Sequence, residues 1–175
     1  MEKLFTRIIG TPIFEDGPRP LTTVKDMVID PENGKVLALV VSLTRKLIIV
    51  PIDIESWHDA VKVHSGDAIT EARDVMRVDV VMKSGIHVFR SRVVTKGGKF
   101  LGKVYDFSID SNLMVLHKLY VARGFLGLVK FESRIIPYDN ILEILPGKII
   151  VKDDLTEVKA KERVVGVALE EAPVG

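Results

Sequence analysis

Short apolar runs separated by turn-forming residues fill most of this chain. In the first part the runs are Thr6–Phe14, Leu21–Asp30, Val36–Leu43, Lys46–Ile52, Ala60–His64 and Ala68–Thr70. Glu15-Asp16-Gly17-Pro18, Pro31-Glu32-Asn33-Gly34 and Ser65-Gly66-Asp67 separate them. In the second part the runs are His87–Val94, Lys103–Asp110, Val115–Val121, Leu128–Pro137, Ile141–Leu145 and Lys148–Val151, with turns at Lys96-Gly97-Gly98-Lys99 and Pro146-Gly147. Runs this short and evenly punctuated predict strands, and strands so spaced predict a small barrel or sandwich instead of a parallel α/β sheet. Asn33-Gly34 predicts a hairpin, because both central residues of a type I′ turn need positive φ. In Lys103–Asp110, Val104 lies on one face and Lys103, Tyr105, Phe107 and Ile109 on the other. Apolar groups on both faces predict a strand covered on both sides.

The chain repeats itself. A shift of 80 residues, held without a gap from Pro12 to Val41, gives eight identities in thirty positions, among them Gly17/Gly97, Val24/Val104, Asp26/Asp106, Asp30/Asp110 and Leu39/Leu119. At a shift of 86, Ile49-Val50-Pro51-Ile52-Asp53 meets Ile135-Ile136-Pro137-Tyr138-Asp139, and finally Gly66-Asp67-Ala68-Ile69 meets Gly147-Lys148-Ile149-Ile150. Turn residues match along with apolar ones, so the chain reads as one module copied once. The expected organisation is module one at 1–70, a linker at 71–85, module two at 86–152 and a charged tail at 153–175. Alternation at Val78, Val80 and Met82 gives the linker partial strand character. The tail alternates charged and apolar residues in a way compatible with helix or strand.

Composition sharpens this picture. Val (25) and Ile (17) favour pleated strands, which disfavours an all-α fold. The absence of Cys excludes a disulfide framework, a thiolate zinc site and a cysteine nucleophile. Charges interrupt every apolar run of MEKLFTRIIGTPIF, unlike a signal peptide. No run approaches the ~20 apolar residues that span a bilayer. A soluble cytoplasmic protein is the expectation.

Reactive chemistry is sparse. His58, His64, His87 and His117 share no metal-ligand spacing, and no G-x-S-x-G elbow frames a nucleophile. Gly97-Gly98-Lys99-Phe100-Leu101-Gly102 lacks the G-K-[ST] of a phosphate loop and reads as a turn. Asp26/Asp106 and Asp30/Asp110 recur at strand ends, where carboxylates bond backbone N–H groups. No catalytic residue, metal site or cofactor is expected. Charge is uneven: the net charge is +1, yet Lys83–Arg134 holds ten basic residues and three acidic ones. Its cations include Arg90, Arg92, Lys96, Lys99 and Arg123, which could meet RNA phosphates or an acidic partner, or simply keep strand edges solvated. Arg123-Gly124-Phe125-Leu126-Gly127-Leu128 forms an apolar tip between glycines. Phe125 and Leu126 could dock into a partner or close the barrel end. Trp57 poses the same choice in the first copy.

The pattern Leu101-Gly102-Lys103-Val104-x-Asp106-x-x-Ile109-Asp110, then Leu119-x-Val121 and Ile135-Ile136-Pro137-Tyr138-Asp139-Asn140-Ile141, resembles the PRC-barrel domain. That family includes the cytoplasmic domain of the photosynthetic reaction centre H subunit and the C-terminal domain of the 16S ribosome maturation factor. The second copy carries the pattern better. In the first, Pro20-Leu21-Thr22-Thr23 replaces Phe100-Leu101-Gly102-Lys103, and about five extra residues surround Trp57. The resemblance implies an all-β protein of two tandem small PRC-type β-barrels with a short charged C-terminal tail, working by macromolecular binding and not by catalysis. The expected function is a non-enzymatic adaptor that binds another protein. The alternatives are RNA processing or ribosome assembly, through RNA or a ribosomal protein bound by the basic second module, and a small-ligand enzyme. Homo-oligomerisation is open. The candidate partner-binding residues are Arg123, Phe125, Leu126, Arg90, Arg92, Lys96, Lys99 and Trp57.

Overall fold

A computed structural model describes residues 1–124 and 132–154. The chain opens with β1 (Glu2–Leu4) and a single helical turn, α1 (Phe5–Ile8). There follow β2 (Pro12–Phe14), β3 (Thr22–Thr23), β4 (Asp26–Ile29), β5 (Val36–Ser42), β6 (Leu47–Ile49), β7 (Ile54–Trp57), β8 (Val61–Val63) and β9 (Thr70–Glu71). Helix α2 (Met76–Lys83) leads to β10 (Arg92–Thr95), β11 (Phe100–Asp110), β12 (Val115–Arg123), β13 (Glu132–Pro137), β14 (Ile141–Leu145) and β15 (Lys148–Val151). The fold is all-β. Its strands form three open sheets, without a closed barrel, in the orders β3-β2-β8-β7, β4-β5-β6-β9 and β13-β12-β11-β10-β15-β14, with β1 added to β11.

Strand register repeats between the halves. Asp26 pairs with Val40 and Met27 with Leu39; Asp106 pairs with Tyr120 and Phe107 with Leu119. The irregularity between Val28 and Ile29 recurs between Ser108 and Ile109. The parallel pair Ile13–Val61 recurs as Val93–Ile149. This corrects the later part of the sequence match. Leu39 pairs with Ile49 and Leu119 with Ile136, so the shift there is 87, not 86, and Ile49 corresponds to Ile136. Val61 corresponds to Ile149, so the match of Gly66–Ile69 to Gly147–Ile150 is also displaced. Identical Pro and Gly residues drew that alignment away from the true pairing.

The repeat also starts earlier than the sequence showed. Gly10 N–H donates to Val24 O at 2.8 Å and Arg90 N–H to Val104 O at 2.9 Å. Thr11 Oγ1 donates to Arg7 O, and Ser91 Oγ to His87 O. Gly10 and Arg90 both have positive φ, 87° and 66°.

The halves meet across a local two-fold relation. Val36 N–H donates to Met114 O and Leu116 N–H to Gly34 O, both at 2.8 Å, which are the same bond at a shift of 80. Gly34, at φ 70°, has no room for a side chain, because a Cβ there would stand 2.5 Å from the Tyr138 ring. One core joins both halves, including Ile13, Leu39 and Val61 with Val93, Leu119 and Ile149, all fully buried.

Within 71–85 the alternating stretch is not strand: β9 ends at Glu71, and Met76–Lys83 is helical. Val78 and Val81, three residues apart, share a helix face and pack on Val28, Ala38, Val40 and Ile48, while Val80 is exposed. Burial against the sheet outweighs the strand preference of valine. Arg77 fixes the helix, with Nη2 2.7 Å and Nε 3.1 Å from the carboxylate of the buried Asp30. Among the described residues no helix is long and apolar enough to cross a membrane. The charged tail beyond Asp154 lies outside the described residues.

Candidate binding surfaces

Three adjacent strands of the second half put a row of cations on one face. Arg92 on β10 is the direct neighbour of Lys103 on β11 and of Lys148 on β15, and all three are exposed. Cross-strand partners in register project from the same side of a sheet. Phe100 lies at the end of this row between two guanidinium groups: Arg92 at 5.1 Å and Arg123 at 5.9 Å from its ring centroid. Such stacking holds the guanidinium planes in place while leaving their N–H donors outward. Among the described side chains, no ion pair joins Arg92, Lys103 or Lys148 to a carboxylate; Arg123 stands opposite Glu132 in the β12–β13 register.

The structure distributes the remaining sequence candidates differently. Lys96 and Lys99 are exposed on the turn after β10. There Asp153 Oδ1 accepts from Gly97 N–H at 2.8 Å, and that bond, with the Thr95 side chain and nearby Lys96, holds the Asp153 carboxyl below its ordinary value. Lys96 therefore has an acidic neighbour that the row lacks. Arg90 lies apart, 5.4 Å from the Phe89 ring. Trp57 is buried in the core, with Lys3 Nζ 5.8 Å from its ring. Phe125 and Leu126 lie outside the described residues. Sequence reasoning missed Lys148, which lies beyond the basic segment it counted; only the parallel β10–β15 pairing brings it to Arg92.

A second site comes from the duplicated aspartates. Asp106 is buried and fully engaged: its carboxylate accepts from Thr6 N–H at 3.2 Å, Thr6 Oγ1 at 2.6 Å and Phe107 N–H at 2.8 Å. Its counterpart Asp26 accepts from Met27 N–H at 2.7 Å, the same local bond, but meets no counterpart of Thr6. Asp26 faces a cavity of about 370 Å³ whose apolar wall includes Phe5, Met27, Ile29, Ile86, Phe89 and Phe107, and which Lys25 and His87 also line. Burial pushes its carboxyl above the ordinary aspartate value, against the opposing effects of Met27 N–H and His87.

Among the described residues no group of three or more His, Asp or Glu is placed to hold a metal. Comparison with curated proteins finds no match. A model of the PRC-barrel domain matches residues 1–76. The match falls on the copy that departs further from the pattern quoted above, and covers β1 to β9. Over 76 of its 175 residues, the first copy, the chain is therefore similar to the PRC-barrel domain family.

Proposed function

We propose that this protein is a non-enzymatic adaptor of two PRC-type modules, and that it binds an acidic segment of another protein through its second half. The observation that carries this reading is the row Lys148-Arg92-Lys103 with Arg123 and Phe100. Exposed cations on a rigid sheet raise encounter rates with an acidic partner and fix its orientation, and the aromatic ring adds apolar contact. PRC-barrel modules are generally non-catalytic and often serve in protein binding, which agrees with this use. The test is a pull-down from the native host with the Arg92→Glu, Lys103→Glu double variant. An acidic partner should be retained by the wild type and lost by the variant, at unchanged melting temperature. Equal retention by both would remove the proposal.

A second reading has a specific basis. The same row beside an aromatic ring suits phosphates and a stacked base. RNA binding through it would weaken steeply with salt, since each neutralised phosphate releases counterions. No binding to structured RNA at low salt would eliminate that reading.

A further inference from the structure

We propose that the cavity beside Asp26 receives a short extended segment of a partner protein, one presenting an apolar residue followed by Ser or Thr. This site is separate from the basic row.

The reasoning rests on an asymmetry between equivalent positions. In the second half, the chain's own leading segment fills the site. β1 pairs with β11, Leu4 opposite Ser108 and Lys3 opposite Ile109. The Phe5 ring stacks on Phe107 with centroids 4.6 Å apart at 18°. Thr6 then gives its backbone N–H and its hydroxyl to Asp106. At the first-half site, the counterparts at the shift of 80 are Gly85 for Phe5, Ile86 for Thr6 and Met27 for Phe107. Gly85 has no ring to lay on Met27, and Ile86 has no hydroxyl for Asp26. Residues 82 and 83, the counterparts of Glu2 and Lys3 at that shift, belong to α2, which packs on Val28 and Ala38. β4 therefore ends its sheet with no strand on its outer side among the described residues, where β11 has β1.

What remains is a mould of the missing segment. The walls are largely apolar, with Lys25 and His87 the polar groups beside Asp26, and the apolar part asks for an apolar side chain. The carboxylate is short of the donors that its twin receives. At the far end of β4, Val28, Ile29 and Asp30 are buried and Arg77 of α2 holds Asp30, so the segment is received at the Asp26–Met27 end, where its alternate side chains meet the cavity wall. A carboxylate set in an apolar wall selects a donor strongly, because leaving it unpaired under a bound peptide costs its desolvation.

The probe is a labelled synthetic peptide with the sequence of residues 1–8, MEKLFTRI, titrated into the full chain and followed by fluorescence anisotropy. Saturable binding is expected, at least tenfold weaker for a peptide with Val in place of Thr6. Asp26→Ala should weaken binding at least tenfold. Ile86→Thr, which offers a hydroxyl from within the chain, should weaken it at least fivefold without lowering the melting temperature. The Arg92→Glu, Lys103→Glu variant should bind the peptide as the wild type does, which separates this site from the basic row. Absence of saturation at millimolar peptide overturns the proposal. So does binding that survives Asp26→Ala but is lost in Asp106→Ala, since the peptide would then be displacing the chain's own segment.

Discussion

Asp26, half-buried, and Asp106, buried, form a matched pair for measuring what hydrogen-bond donors contribute to a carboxylate at one register position. Both sit at the same register position opposite Val40 and Tyr120, and both bond the N–H of the next residue. They differ in the Thr6 backbone N–H and hydroxyl, which Asp106 alone receives. A hydrogen bond to a charged group contributes about 1.5–3 kcal/mol, and removing a buried carboxylate returns part of its desolvation cost. Asp106→Ala should therefore cost about 3 kcal/mol. Asp26→Ala loses one local bond and relieves a poorly compensated charge, so it should cost less than about 1 kcal/mol. At roughly 2–4 °C per kcal/mol for a chain of this size, the melting temperature should fall by about 6–12 °C in the first variant and by under about 4 °C in the second. Thermal unfolding followed by circular dichroism at neutral pH reads both. Thr6→Val should reproduce much of the Asp106→Ala loss, and the double variant should be less than additive. Equal losses from the two alanine variants would refute the asymmetry on which the cavity argument stands.

Three further outcomes follow from single sites. The Arg77 guanidinium and Glu32 N–H hold the Asp30 carboxyl below its ordinary value, so it adds stability that is present above the ordinary aspartate pKa and lost as pH falls through the lowered one. Asp30→Asn should thus flatten the acid limb of the stability profile below about pH 4, and an unchanged limb in acid titration by circular dichroism would contradict the pairing. Asp26 has the opposite sign: its raised pKa gives stability that is present below the ordinary value and lost as pH rises, and its carboxyl carbon should titrate in NMR above the ordinary aspartate value, at higher pH than that of Asp30. Gly102, at φ 141°, would place a Cβ 2.3 Å from the backbone oxygen of Ala122 in the neighbouring strand, so Gly102→Ala should destabilise by more than about 3 kcal/mol; a melting temperature within a few degrees of wild type would contradict that geometry.

The sequence exposed the strands and the duplication because these rest on apolar alternation and on turn residues. The shift of 80 over Asp26–Ile29 and Asp106–Ile109 reproduces the pairing register residue by residue. It failed where chemistry and geometry part. Pro51 and Pro137 are identical, yet Pro51 opens its 3₁₀ turn while Pro137 precedes the corresponding one, and the match followed the proline. Residues 8–11 and 88–91 share no identity, so backbone hydrogen bonds alone reveal them as equivalent. Helix α2 was hidden because its valines imitate a strand until a sheet face is there to receive Val78 and Val81. Of the basic surface, Arg92 and Arg123 were legible as charge, but their convergence on Phe100 and the arrival of Lys148 depend on strand pairing across distant sequence. The asymmetry at Asp26 was also in the sequence, as Gly85-Ile86 against Phe5-Thr6, but it carries meaning only once the register places both segments.

The leading segment also bears on how the halves depend on each other. Residues 2–6 open the first copy yet lie on the second, through the β1–β11 ladder, the Phe5–Phe107 stack and the Thr6–Asp106 bonds. Residues 86–88 open the second copy and line the cavity against Met27 and Ile29 of the first. Such an exchange within one chain is the geometry of a swapped dimer with its subunits joined. Burial of Phe5 contributes about 1.5–3 kcal/mol and the Asp106 cluster about 3, before the paired bonds at Gly34 and Met114 are considered. That sum rivals the roughly 5–15 kcal/mol that hold a whole domain together. Splitting the chain at Ser84 should therefore leave two fragments that lack cooperative melts alone and regain one when mixed. A sharp unfolding transition in the isolated fragment 1–84, at the melting temperature of the intact protein, would show that the exchange adds little and that each half stands by itself.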